Sequence, residues 1–283
     1  MNTNESVIDF NWNSDWEDRY RALSYENVVV STDVLARRDP TIGATVQRIG
    51  KGYAAFYGPR GAMTAASGIG VGETGYEDEL AAVEDFYRNR GCSSKVWTNS
   101  ATHPDFLHLL ESRGYRTIHT AGTWIRPTAQ PVSIHGLEHI EVRLVAQDQA
   151  EEWLNAAAIG FLEETGPWKD SLPKSAADMF YSMAFASGFT AMVAYDDKIP
   201  AGGAVIAQGH GLAILRTAST RFNHRGKGIQ KALIAARLNH AQKSGSQVCL
   251  SATSASPHDT SAKNMSLFGF RLLRTSALLE RAI

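Results

Sequence analysis

This chain is poor in cysteine, has no long apolar run and carries almost no net charge. Its 283 residues include only Cys92 and Cys249, and its formal charge is -1. Two such thiols in apolar settings form neither a disulfide framework nor a metal-ligand spacing, so they read as inert buried groups. No stretch approaches the ~20 apolar residues that cross a bilayer. The charge balance lacks the basic excess of a nucleic-acid binder. No Gly-x4-Gly-Lys-Ser/Thr loop is present, which removes the P-loop nucleotide enzymes. Met1 to Ser6 are polar and lack the apolar centre of a secretion signal, so the expected setting is a reducing cytoplasm.

What is there suits a folded protein with a sizeable core. Hydrophobic residues make up 43% and charged residues 20%, enough for one large or two medium domains. Asp15 to Leu23 reads as a helix with Ser14 as N-cap, and Val28-Val29-Val30 as a strand. Short apolar runs between Thr45 and Ile69, broken by glycines, predict an antiparallel meander. Leu80, Val83, Phe86 and Tyr87 set a helix from about Tyr76 to Arg90, stopped by Gly91. A strand over Lys95 to Thr98, a short helix from Pro104 and a strand pair over Arg116 to Arg126 follow.

Pro127 to Gly136 reads as a linker. Beyond it come a strand (Ile140 to Val145), two helices (Asp148 to Phe161, Ser171 to Ala186) and three strands (Phe189 to Tyr195, Gly202 to Ala207, Leu212 to Ala218). A helix over Ile229 to Ser244 has Ile229, Ala232, Leu233 and Ala236 on one face, with Gln230, Lys231, Arg237 and Asn239 largely elsewhere. Val248 to Ala252, a short helix over Thr260 to Leu267, and closing strands over Phe270 to Leu279 complete the chain.

The two halves end alike. Gly114-Tyr115-Arg116 matches Gly269-Phe270-Arg271, Thr120 matches Thr275, and Arg126 matches Arg281 at the same offset. Upstream, each half runs helix, glycine, strand, polar loop and short helix, the mark of an internal repeat. Aligned on their helix ends, Arg225-Gly226-Lys227-Gly228 falls opposite Val71-Gly72-Glu73-Thr74. A strand, a basic glycine turn and a helix start suit a phosphate, because first-turn amides lack partners and the helix dipole adds positive potential. Glu73, Glu77, Asp78 and Glu79 would repel one, so the single anion site belongs to the second half.

At this point the second half resembles the GNAT acetyltransferase superfamily over about residues 138–283, with 60–126 as a degenerate half copy. The family motif Arg/Gln-x-x-Gly-x-Gly/Ala reads here as Arg225-Gly226-Lys227-Gly228-Ile229-Gln230, with Gln230 where the family has a small residue. The resemblance implies an α+β fold: two GNAT-like domains, 1–130 and 138–283, each a mostly antiparallel central sheet flanked by helices. It implies that acetyl-CoA is bound by Ala218, Ser219 and Thr220 along the pantetheine, by Arg225 to Gln230 at the pyrophosphate, and by Asn264 near the thiol.

It also implies acyl transfer to an amine, with backbone amides at splayed strands as the oxyanion site. Met265 stands where many members place a tyrosine acid, and it cannot donate a proton. Ser261, Asn264 and solvent are then the candidate proton sources. Glu164, beside Glu163 and ahead of Gly166-Pro167-Trp168, is a candidate in the acceptor cleft; a solvated charge pair is the plainer reading. Trp168 and Tyr181 read as core or cleft wall, and His210, His224, His258 and Asp259 as exposed or near the cofactor. The expected partner is a small-molecule amine, not nucleic acid or membrane, for a monomer or homodimer. The missing acid keeps a second reading open, a non-catalytic acyl-CoA-binding sensor or scaffold.

Overall fold

The computed structural model describes residues 10–133, 135–163 and 165–282. The chain opens with a 25-residue helix, α1 (Ser14–Arg38), whose N-cap is Asn13, bonded through its side chain to the Trp16 amide. The cap lies one residue before Ser14, and Val28-Val29-Val30 is helical. Leu23, Asn27, Val28, Ser31, Thr32 and Leu35 are buried at helical spacing along α1. That packing outweighs the strand preference of three consecutive valines.

The first half continues as β1 (Thr45–Ile49), β2 (Gly52–Phe56), β3 (Ala65–Ser67), α2 (Tyr76–Arg88), β4 (Ser94–Asn99), α3 (Pro104–Ser112) and β5 (Arg116–Pro127). The second half has β6 (Ile140–Val145), then α4 (Ala150–Trp153), a π-helical turn (Leu154–Ala158) and α5 (Ile159–Leu162) in one continuous run. After these come α6 (Lys174–Ala184), β7 (Phe189–Asp196), β8 (Ile199–Gly209), β9 (Leu212–Thr220), α7 (Ile229–Lys243), β10 (Val248–Thr253), α8 (Thr260–Leu267) and β11 (Arg271–Arg281).

The eleven strands of the described residues form one sheet in the order β1-β2-β3-β4-β11-β5-β10-β9-β8-β7-β6. Among the described residues only β3–β4 and β9–β10 are parallel pairs. The closing strands of the halves have changed places. β11 ends the second half yet pairs with β4, from Ser276↔Asn99 to Arg281↔Ser94. β5 ends the first half yet pairs with β10, from Val248↔Pro127 to Thr253↔Gly122. The two then pair with each other at the centre. The expected strand pair over Arg116–Arg126 is therefore one strand of 12 residues, and the expected closing strands are one of 11. Each is long because it serves two neighbours in staggered registers.

The helices cover both faces. On one face α7 and α8 bury Ile229, Leu233, Ile234 and Phe268 against Ala204, Ile206, Ala213 and Leu215, while α2 and α3 bury Leu80, Phe86 and Phe106 against Ala54, Phe56 and Val96. On the other, Trp153, Phe180 and Ala184 pack on Val193 and Val205. There α1 spans both halves: Leu23 packs with Ile125, Leu212 and Val248, and Val28 and Leu35 pack with Ala55 and Tyr57. Val132 is tied to α7 by reciprocal bonds between its backbone and the Asn239 amide at 2.7 and 2.9 Å.

Candidate functional site

β9 leads through a short 3-10 turn (Phe222–His224) into the basic glycine turn. Gly226 and Gly228 have φ of 79° and 95°, a region open to glycine at little cost. Gly228 is also the N-cap of α7 and offers no side chain to its amides. The α7 start thus presents first-turn N–H groups and the positive end of a 15-residue helix, a ready anion cradle. A Cβ at Gly228 would stand 2.5 Å from Leu137 Cδ2, whereas one at Gly226 would meet nothing within 4 Å.

The basic side chains of the turn are already partnered. Arg225 donates to the Glu163 carbonyl at the end of α5 and lies 5.2 Å over the Phe222 ring. Lys227 Nζ and His224 Nδ1 both lie 2.8 Å from Asp196 Oδ2. Those two side-chain bonds hold the Asp196 carboxyl below its ordinary range. Half-buried Lys231 lies in the first turn of α7. Gln230 uses its length: its Oε1 accepts from Asn264 Nδ2 and ties α7 to α8.

Beside this turn the sheet opens. The parallel pairing of β9 with β10 ends at Leu215↔Ser251, although β9 continues to Thr220. In the same stretch β9 carries a bulge, since Val205 pairs with Arg216 but Gly203 pairs with Ser219. Thr217, inside the bulge, has φ 37°. A β-branched residue there is strained, and such strain gathers at functional sites. The π-helical turn lies directly over this region, where Ser219 Oγ donates to the Ala157 carbonyl at 2.6 Å. A Cβ on Gly160 would fall 2.5 Å from Ser219 Oγ.

Arg237 is the residue that helical patterning misplaced. It is 2% exposed and donates to the Leu233, Val205 and Arg216 carbonyls at 3.0, 3.4 and 3.3 Å. The last two belong to the cross-strand pair next to the bulge, whose interrupted ladder leaves carbonyls to be satisfied from α7. Burial pushes the Arg237 guanidinium down to about 10, and it stays charged at neutral pH.

The other candidates divide. Asn264 is buried and bonded to Gln230. Ser261 donates to the Asp259 N-cap at 2.6 Å and contacts Thr253 Oγ1 on β10. Met265 is 3% exposed in the core with Phe268 and Phe270. Glu164 lies outside the described residues. Its neighbour Glu163 is buried and accepts from Arg221 Nε and Nη2 at 3.0 and 3.1 Å, Phe222 N at 2.6 Å and Trp168 N at 3.1 Å. Burial alone would raise the Glu163 carboxyl, but these bonds hold it below its usual range. It fixes the β9 exit and is not poised to take a proton. Tyr181 lies under Arg38 at 3.8 Å, His210 meets Glu26 at 2.9 Å, and His258 is exposed.

The first half has the corresponding turn but not the opening. Gly75 is the N-cap of α2, with φ 84°. Gly75 stands opposite Gly228 as helix N-cap, where matching the helix ends in sequence sets Thr74, because α2 has 13 residues and α7 has 15. Glu79 reaches back to accept from the Gly70 amide at 2.8 Å. The Phe106 ring lies so close to Gly70 that a Cβ there would be 2.2 Å from it. An acidic first turn and an aromatic plug fill the place where the second half is bare and splayed. Two shallow surface hollows of the first half meet at Arg90 and share no residue with the α7 turn. Among the described residues no His, Cys, Asp and Glu cluster could hold a metal ion, and no helix is long and apolar enough to cross a membrane.

No family model and no curated protein sequence matches the chain. Solved structures do. A GCN5-related N-acetyltransferase from Kribbella flavida superposes with a TM-score of 0.67 at 12% identity, covering 93% of this chain and 94% of that one. One from Sphaerobacter thermophilus gives 0.57 at 16% identity, with 77% and 73% covered. A tandem GNAT protein from the clavulanic acid biosynthesis pathway gives 0.58 at 13% identity, with 93% and 94% covered. The chain has the fold of the GCN5-related N-acetyltransferases.

Proposed function

We propose that the protein is an acetyl-CoA-dependent N-acetyltransferase acting on a small-molecule amine, built as two GNAT-like units, 1–130 and 138–283, with one cofactor site in the second. The observation that carries this reading is the joint presence of a bare α7 start and a splayed, bulged β9 beside it. Acetyl-CoA, when bound, supplies the activated acyl group.

The chain's own residues supply the rest. Amides of Gly226, Lys227, Gly228, Ile229 and Gln230 hold the pyrophosphate, and Arg225 braces the turn from behind. Ala218, Ser219 and Thr220 offer backbone groups on a strand edge that β10 has left. The bulge at Thr217 turns amides toward the position where negative charge develops. Ser261 on α8 and solvent are the candidate proton donors, while the Asn264 amide, bonded to Gln230, can only hydrogen-bond a departing thiolate. No acid stands at Met265, and a thiol of ordinary pKa near 8.5 leaves readily without one.

Calorimetry tests the cofactor site. Wild type should bind CoA, Gly226→Asn, which carries the same backbone strain at φ 79° without the charge, should keep most of the affinity, and Gly226→Asp should abolish it by setting a carboxylate in the cradle. Retained affinity in that variant would sink the assignment. The buried Met265 favours the sensor as second reading: CoA binding without thiol release across a broad amine panel would select it.

A further inference from the structure

On the α1 face of the sheet, next to the bulge, stands a cation with no ion pair. Arg216 is the first residue of β9 beyond its last pairing with β10. Its side chain shares the face of Leu212 and Ile214, which pack toward Leu23 of α1. The guanidinium lies 5.3 Å over the Phe189 ring. Among the described residues no carboxylate comes within ion-pair distance of it.

Around it the first half brings further donors. Tyr53 and Tyr57 sit close enough to Arg216 for its charge to act on both hydroxyls. Burial raises these phenols, and Arg216 only partly opposes it, so both are neutral donors at pH 7. Tyr57 is committed, since its hydroxyl lies 2.6 Å from Ser31 Oγ, which itself donates to the Asn27 carbonyl at 2.7 Å. Tyr53 packs half-buried in the same cluster as Val28, Ala55 and Tyr57, and its neutral hydroxyl has a proton to give. Asn27 lies one helical turn from Leu23 and one from Ser31, on the stripe that runs from β9 to Tyr57. It is 3% exposed, and its Nδ2 has no partner.

A guanidinium, an unpartnered amide donor and a neutral phenol are all donors. Desolvated groups of this kind call for an acceptor with paired lone pairs, and a carboxylate matches the planar guanidinium. The nearness of the bulge puts this set beside the reacting end of the cleft. We propose that Arg216, Tyr53 and Asn27 form a carboxylate subsite for the acyl acceptor, that the acceptor is an amine bearing a carboxylate, and that the N-terminal half supplies one wall of its site. This rests on the acetyltransferase reading above.

The test offers wild type, saturated with acetyl-CoA, a panel of α-amino acids and the amines left by their decarboxylation, with thiol release as the readout. The expected result is release with carboxylate-bearing members, with kcat/KM roughly 10- to 100-fold lower for the decarboxylated partners, as loss of a charge-assisted bond implies. Arg216→Gln raises the acceptor KM by a similar factor and leaves CoA affinity unchanged by calorimetry; Arg216→Lys recovers part of the loss. Asn27→Leu raises the acceptor KM while the melting temperature holds or rises, because a buried unpaired amide is gone. Equal turnover of matched pairs, an unchanged KM in Arg216→Gln, or no release with any carboxylate-bearing member from a protein that binds CoA overturns the proposal. Failure of wild type to bind CoA overturns the acetyltransferase reading instead.

Discussion

Glu163 ends a helix, closes a loop and pins the exit of β9 with one carboxylate. With its side chain 2% exposed and Arg221 at 29%, Glu163→Gln should cost about 1–3 kcal/mol, less than a fully buried pair because Arg221 is partly screened. The pH dependence has a definite sign. The folded-state carboxyl lies below its unfolded value, so its contribution is complete above the unfolded range and drains away as pH falls through the folded one. Urea midpoints from about pH 5 down to pH 3 should therefore fall further for wild type than for Glu163→Gln. Parallel slopes would remove Glu163 from that role. The sequence showed Glu163 as a charge at a helix end, because its partners Arg221 and Phe222 lie far along the chain. The glycines of the turn were legible since their φ values follow from local chemistry. Arg237 was not: its burial answers to a bulge in β9, which no periodicity in α7 announces.

At the scale of elements, α1 joins what the linker separates. Arg38 Nε lies 2.8 Å from Asp178 Oδ1 on α6, and Lys174 approaches the other oxygen. Asp178 has a side chain only 3% exposed, while Arg38 and Lys174 are 37% and 76% exposed. Asp178→Ala should lower stability by about 1–2 kcal/mol, a fall of roughly 2–6 °C in Tm for a domain of this size. A melting curve unchanged by the substitution would show that α1 is held by its apolar stripe alone. The helices α2, α3, α7 and α8 were readable from apolar spacing and glycine stops. α1 was only half readable, because Val28-Val29-Val30 favours a strand in isolation. Its helical state is imposed by two sheet regions and α6, contacts invisible to a local window.

For the whole molecule, the exchange of β5 and β11 makes the sheet a single cooperative object. Neither half can lose its closing strand without opening the other, so urea unfolding followed by tryptophan fluorescence and by circular dichroism should give one coincident transition. Two separated transitions would mean that the central ribbon melts independently. The repeat in the sequence was visible as Gly114-Tyr115-Arg116 against Gly269-Phe270-Arg271, but its similarity says nothing about which half each strand joins. Pairing partners are chosen by register and topology across the chain. The strand exchange also changes what the covalent connection is worth. Ala129, Gln130 and Pro131 are exposed, and a chain cut there by an engineered protease site should not come apart. The two fragments remain threaded through each other's sheets, and they should co-elute as a one-to-one complex until denaturant unravels the central ribbon.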